Sequence, residues 1–208
     1  FLKFCTAMTG MLALPPSMAK VMAEAISKAR RQSVIWLSFQ ECTGCTESLT
    51  RAYKPTIEEL MFNLISLDYH HTLQATSGEA AEQARKEAMK ANYGNYLLVI
   101  DGSIPVGNPG YSTIAGVSNK EMLLEVAKGA KAIIATGTCA SFGGLPHAAP
   151  NPTGAVSVQE LITDKPIVNI PGCPPIPIIL SSVIANYVAL KKLPQLDALK
   201  RPLPYFGR

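Results

Sequence analysis

This chain has no Gly-x-Gly-x-x-Gly, no P-loop and no Gly-x-Ser-x-Gly motif, so nucleotide binding on a glycine-rich loop and serine catalysis lack support. Aromatic residues make up 7% and charged residues 16% of the sequence. No repeat recurs along it, and no linker divides its body. The longest apolar stretch near the start, Phe4 to Leu14, is too short and too broken by Gly and Pro to span a bilayer. The formal charge of +4 comes from Lys3, Lys20, Lys28, Arg30 and Arg31 set against Glu24 alone. The rest of the chain is balanced, which gives no electrostatic case for a nucleic-acid partner.

Small residues, 15 glycines and 16 prolines are present in a chain that is 48% hydrophobic. This profile suits tight loops around a buried centre. Its 208 residues are enough for one sizeable core with extensions. Nearly continuous apolar runs at 33–38, 62–67, 96–101, 131–136 and 166–170 predict strands covered on both faces. Helix signals lie between them: from Thr46 to Arg51, from Ser77 to Ala91, from Asn119 as N-cap to Gly129, over 157–162, and from Pro174–Pro175 to about Lys191. Alternating strands and helices predict an α/β fold with a doubly wound parallel sheet and flanking helices over residues 32–193. Residues 194–208 are proline-rich and read as an extended arm or the start of a further domain. Residues 1–31 read as an export leader and N-terminal extension. Phe1-Leu-Lys3 resembles the tail of a twin-arginine motif, and Ala23-Glu-Ala25 offers a small-residue cleavage site. The other reading of this segment is an amphipathic helix from about Pro16 to Arg31.

Four cysteines stand apart: Cys42, Cys45, Cys139 and Cys173. Each follows an expected strand by a few residues, and ligands collect beyond the carboxyl ends of strands in open α/β sheets. Cys42-x-x-Cys45 lets two thiols from one loop grip a single centre, with Gly44 allowing a tight turn. Glycines at 137, 143, 144 and 172 let backbone N–H groups approach sulfur. Thiolates ligate iron–sulfur clusters and structural zinc. The spacing favours a cluster over zinc, a redox dithiol, disulfides or free buried thiols. Cys5 falls in the leader and is set aside. Adjacent His70 and His71 on an extended segment point to opposite faces, which suits a structural or interface role rather than metal binding. His147 sits in a Pro/Ala loop without an obvious partner.

Taken together, Glu41-Cys-Thr-Gly-Cys-Thr-Glu-Ser48, Ser66-Leu-Asp-Tyr-His70, Gly137-Thr-Cys-Ala140, Pro150-Asn-Pro-Thr-Gly154 and Pro171-Gly-Cys-Pro-Pro175 resemble the small subunit of a nickel–iron uptake hydrogenase. The resemblance runs from about Ser33 to the C-terminus. It implies a flavodoxin-like fold in which Cys42, Cys45, Cys139 and Cys173 hold a proximal [4Fe–4S] cluster. That cluster would relay electrons from a nickel–iron centre on a partner large subunit during reversible H2 oxidation. It further implies a proton relay through Glu41 and Thr43, and a membrane cytochrome b or other acceptor downstream. Twin-arginine export to the periplasm, or to the periplasmic face of the membrane, fits the same resemblance.

Departures from the family pattern carry expectations of their own. Asp101 stands where many members have Glu, one methylene longer. Gly44 stands where oxygen-tolerant relatives have an extra cysteine, and none occurs from Asn108 to Gly116, so an ordinary four-cysteine cluster is expected. The part of the family that holds medial and distal clusters would begin about where residue 208 falls. A single Cys-x-x-Cys cannot supply a nickel site of two such pairs, so nickel belongs to the partner. The alternatives are a zinc-stabilised structural module and a quinone-reductase-type electron-transfer subunit. The latter typically has adjacent cysteines in the first motif, unlike Gly44-Cys45.

Overall fold

A computed structural model describes residues 2–11, 14–28 and 31–207. Five parallel strands form its centre: β1 (Gln32–Ser38), β2 (Ile65–His70), β3 (Tyr96–Asp101), β4 (Ala130–Thr136) and β5 (Ile167–Ile170), in the order β2-β1-β3-β4-β5. Val34 lies opposite Leu97, and Leu97 opposite Ala132, so the middle strands share one register across the sheet. The chain crosses first from β1 to the edge strand β2 and then back to β3 on the other side of β1. This reversal opens a crevice at the carboxyl ends of β1 and β3. The doubly wound parallel sheet expected from the alternating pattern is the one observed, with the flavodoxin-like strand order that the resemblance implies.

The strands read as continuous apolar runs because each side is buried against a different layer. Val34, Trp36, Leu97, Val99, Ile134 and Val168 share one core, and Ile35, Leu37, Leu98, Ile100, Ile133 and Ala135 share the other. On the first face lie α1 (Leu2–Met11), α2 (Met18–Lys28), α3 (Gly44–Thr50) and the late helix α7 (Pro177–Leu190). The second face is covered by α4 (Gly78–Ala91) and α5 (Asn119–Ala127), while α6 (Gly137–Phe142) follows β4 at the rim. Residues 179–188 of α7 are all buried, because the sheet covers one side and α2 packs on another. Cys5 and Met22 are fully buried in this core with Leu180 and Val183. Among the described residues no helix is long and apolar enough to cross a membrane.

One expected strand is displaced. Residues 60–64 form a π-helical turn, and β2 begins only at Ile65. The cause is local: Thr56 and Glu59 close a capping box, with Glu59 N–H donating to Thr56 Oγ1 at 3.2 Å and Thr56 N–H to Glu59 Oε2 at 3.1 Å. The helical turn so started carries Leu60 and Leu64 inward and leaves Phe62 71% exposed. The helix expected from an Asn119 N-cap is instead capped by Ser118, whose box with Glu121 starts it one residue earlier. The last helix starts at Pro177 rather than at Pro174–Pro175, which remain in the loop after Cys173. Downstream, Lys200 and Leu199 offer their carbonyls to the Asn169 backbone and side chain, at 2.8 and 2.9 Å. The segment thus folds back along β5, and residues 203–206 form a short helix.

Candidate functional site

The carboxyl ends of β1, β3, β4 and β5 form one rim. From β1 the chain continues through Phe39 and Gln40, which keep bonding to the β3 side: Phe39 N–H to Asp101 O at 3.0 Å and Gln40 N–H to Ser103 O at 3.1 Å. Glu41 and Cys42 therefore leave the sheet in a fixed direction. Thr43 then takes a left-handed conformation, φ 67°, and turns the chain into α3, whose first turn carries Cys45. From β4 the chain enters α6, which carries Cys139, and from β5 it passes through Pro171–Gly172 to Cys173.

Hydrogen bonds lash these three loops together. Thr138 N–H donates to Gly172 O at 2.9 Å, and Gly172 N–H donates to Thr138 Oγ1 at 3.1 Å. Ser48 Oγ, on α3, donates to Pro175 O at 2.5 Å. The Cys45 thiol lies 3.7 Å from Thr136 O, beside β4. Two glycines make room for sulfur. An added Cβ at Gly144 would meet Cys139 Sγ at 2.6 Å, and one at Gly137, where φ is +79°, would run into Cys45 Sγ.

The four thiols share one electrostatic neighbourhood. Burial pushes the Cys45 thiol far above its usual range, and the charges of Asp101, Cys139, Glu41 and Cys42 push the same way. Burial also raises the Cys139 thiol, a Leu145 backbone hydrogen bond opposes this, and Cys173, Cys42 and Glu41 add to the rise. Cys42 and Cys173 are exposed and Cys45 and Cys139 half-buried; no disulfide joins them. Four mutually repelling thiols in cradles open to sulfur suit a cationic group that holds them as thiolates. Among the described residues no three His, Cys, Asp or Glu side chains are gathered tightly enough to hold a single metal ion. A tetrahedral zinc site needs all four sulfurs about 2.3 Å from one point. Four cysteine thiols carried on one rim are the kind of donor set that an iron–sulfur cluster takes.

Two carboxylates face the same region. Burial first, and then the neighbouring Asp101 charge, raise Glu41 to about 7, against a hydrogen bond from Thr43. That bond spans 3.4 Å from Thr43 Oγ1 to Glu41 Oε1, and Glu41 Oε2 is buried without a partner. Thr43 itself is exposed. Asp101 is fully buried, and desolvation raises it to about 6. The Ser38 hydroxyl and Trp36 indole face it and offset part of the rise, although neither completes a hydrogen bond of normal geometry.

His70 and His71 do point to opposite faces, with His70 against Trp36 and His71 against Tyr69. His70 nevertheless reaches the site, because its Nε2 lies 3.4 Å from Thr46 Oγ1 and Thr46 in turn bonds Asp101. The sequence signal available for this was the place of His70 a few residues beyond the strand expected at 62–67, on the side of the sheet where ligands collect. His147 has partners after all: its Nδ1 lies 2.5 Å from Ala155 O, and Asn151 stands beside it.

The protein family described as NADH ubiquinone oxidoreductase, 20 Kd subunit, matches residues 42–187. Over its full length the chain is 44% identical to the Hydrogenase-2 small chain of Escherichia coli K12, covering 56% of it. It is 42% identical to the uptake hydrogenase small subunit of Azotobacter vinelandii, covering 58% of that protein. The chain therefore spans a little over half the length of these curated relatives. Among solved structures, a chain of the [NiFeSe] hydrogenase from Desulfovibrio vulgaris Hildenborough superposes with a TM-score of 0.80 at 34% identity, over 87% of this chain and 71% of that one. A chain of the Desulfomicrobium baculatum [NiFeSe] hydrogenase gives 0.79 at 34% identity, over 84% and 70%.

Proposed function

Because the chain belongs to the NADH ubiquinone oxidoreductase 20 kDa subunit family and to the hydrogenase small subunits, we propose that it is the electron-transfer subunit of a nickel–iron hydrogenase. In this reading Cys42, Cys45, Cys139 and Cys173 hold a proximal [4Fe–4S] cluster. The observation that carries the reading is the convergence of four thiols on three loops cross-tied by Thr138, Gly172 and Ser48. The cluster, when bound, takes up and releases electrons singly between the nickel–iron site of a large-subunit partner and an acceptor.

This chain's own residues then have separable tasks. The four thiolates bind and orient the group, and Gly137 and Gly144 leave space for their sulfurs. Leu145, 85% exposed, and Ile176, 60% exposed, flank the Cys139 and Cys173 loops. They supply an apolar rim on which the large subunit would seat and exclude water. Glu41, raised to about 7 and bonded to Thr43, is able to hold or pass a proton near neutral pH. Export by the twin-arginine route to the periplasm, and delivery of electrons to a membrane cytochrome b, complete the reading. Their support is the N-terminal basic and apolar pattern and the family resemblance. The quinone-reductase alternative shares the family, but this chain lacks the adjacent cysteines typical of that alternative's first motif, since Gly44 precedes Cys45.

The test is elemental analysis of the complex purified anaerobically through this chain. Iron at about four per chain, with nickel arriving only alongside a larger partner, is the expected result. Zinc at about one per chain and no partner would overturn the reading in favour of a structural module. Cys139→Ser is expected to disturb the iron–sulfur signal and uncouple hydrogen oxidation from dye reduction.

A further inference from the structure

His70 closes β2 with its ring fully buried and stacked near Trp36, centroids 4.9 Å apart. The backbone N–H groups of Thr72 and Leu73 both aim at its Nδ1, from 3.1 and 3.3 Å. A ring nitrogen that accepts two N–H groups carries no hydrogen, so the proton of the neutral ring sits on Nε2. Burial keeps the ring neutral by lowering its pKa to about 4. Nε2–H faces Thr46 Oγ1 at 3.4 Å. With its acceptor side so engaged, the Thr46 hydroxyl donates onward to Asp101 Oδ2, also at 3.4 Å.

The donors thus run in one direction, from the turn after β2 through the imidazole and the hydroxyl to the carboxylate. Asp101 is itself fully buried, its Oδ1 has no partner, and its charge reaches the Cys45 thiol. Thr46 follows Cys45 directly and is buried in the first turn of α3. One hydroxyl therefore joins the end of β2, the end of β3 and the helix turn that carries a ligand candidate. Residues that orient a ligand or a nearby charge in this way tune what the bound group does.

We propose that His70 is a positioning residue that, through Thr46, holds Asp101 and the first turn of α3 in one orientation at the cluster and so sets the cluster's reduction potential. The proposal rests on the four-cysteine cluster reading above. A purely structural His70 would need only its Nδ1 acceptor and its packing on Trp36; the proposed role needs the Nε2 donor as well.

Three variants separate the two. H70N keeps an acceptor for the Thr72 and Leu73 amides but has no donor that reaches Thr46. H70Q places an amide N–H near the position of Nε2. T46V removes the hydroxyl at constant shape, and keeps the test decisive if H70N fails to fold. In the anaerobically purified complex, redox titration followed by electron paramagnetic resonance should show the midpoint potential shifted in the same direction in H70N and T46V. H70Q should stay near the wild type. In the metal-free chain, nitrogen-15 resonance of His70 should report the neutral Nε2–H tautomer. Unchanged potentials in H70N and T46V with the iron–sulfur signal intact would overturn the proposal alone. So would a shift in H70Q as large as that in H70N, or an Nδ1–H tautomer. A wild-type complex with no iron–sulfur signal would instead remove the cluster reading, and the proposal with it.

Discussion

Ser48 donates its hydroxyl hydrogen to the carbonyl oxygen of Pro175 at 2.5 Å, and through that bond the helix bearing Cys45 is fastened to the loop bearing Cys173. Both residues are buried, and Pro175, lacking an N–H, can contribute only this carbonyl to the tie. Ser48→Ala leaves the acceptor unsatisfied, at a cost of about 1–3 kcal/mol. Chemical denaturation should show a loss in that range, and the purified complex should release iron to a chelator faster than the wild type does.

Gly137 carries two constraints at once, a φ of +79° and the approach of Cys45 Sγ to where a Cβ would stand. Gly137→Ala should therefore disturb the site more than the fold. The backbone strain amounts to about 1–3 kcal/mol, whereas displacement of Cys45 removes one of four thiols from its place. Iron content below that of the wild type in a protein that still unfolds cooperatively is the expected outcome. Full iron loading would show that Cys45 is not confined in this way.

Arg85 is 1% exposed and pairs with Glu82 on its own helix at 3.0 Å and with Glu125 on α5 at 3.1 Å. It clamps α4 to α5 over the face of the sheet remote from α7. Arg85→Ala should cost about 3–5 kcal/mol, the range for breaking a buried pair. Glu125 is 46% exposed, so Glu125→Ala should cost no more than about 1 kcal/mol. Thermal or urea unfolding of the two variants distinguishes them, and equal losses would contradict the clamp.

Burial holds His70 at about 4, below its ordinary 6.5, so the unfolded chain binds this proton first as pH falls. Stability from His70 is complete above about 6.5 and is lost progressively as pH drops towards 4. Asp101, raised to about 6, works in the opposite sense over much of that window, since its folded form takes up a proton before the unfolded one. Comparison with His70→Gln isolates the histidine. Between pH 6.5 and 4 the wild type should lose stability relative to the variant by on the order of 3 kcal/mol. A constant difference across that range would mean that the ring is solvated.

Glu41 and Thr43 offer a test independent of the cluster ligands. Glu41→Gln keeps the shape and removes the exchangeable acid, so hydrogen oxidation by the assembled complex should fall by about 10²–10⁴-fold, the range typical of general acid–base groups. Its iron–sulfur spectrum should be retained. Thr43→Val should have a smaller effect, because Thr43 is exposed and its bond to Glu41 is long at 3.4 Å. Undiminished turnover in Glu41→Gln would remove this carboxylate from the proton route.

Much of this molecule is legible in its sequence. The runs at 96–101, 131–136 and 166–170 gave strands within a residue or so, because a strand buried on both faces leaves an unbroken apolar signature. The run at 62–67 misled because an apolar stretch of that length suits a helix turn equally well. The capping box at Thr56 and Glu59, itself visible in the chain, decided the matter. The Ser118 and Ser157 boxes were equally visible, and Ser118 rather than Asn119 proved to be the cap.

What the sequence by itself determined was the kind of fold and the place of the thiols in it. Strand-and-helix alternation prescribes a parallel sheet, and thiols placed just beyond strand ends prescribe a crevice lined with sulfur. Only the tertiary structure decided which polar groups meet there. Ser48 and Pro175 are far apart in the chain, as are Thr46 and Asp101, and Thr138 and Gly172. Periodicity carries no trace of such pairs. A hydrogen bond acts over about 3 Å, and that closeness exists only once strands neighbouring in space have fixed their register.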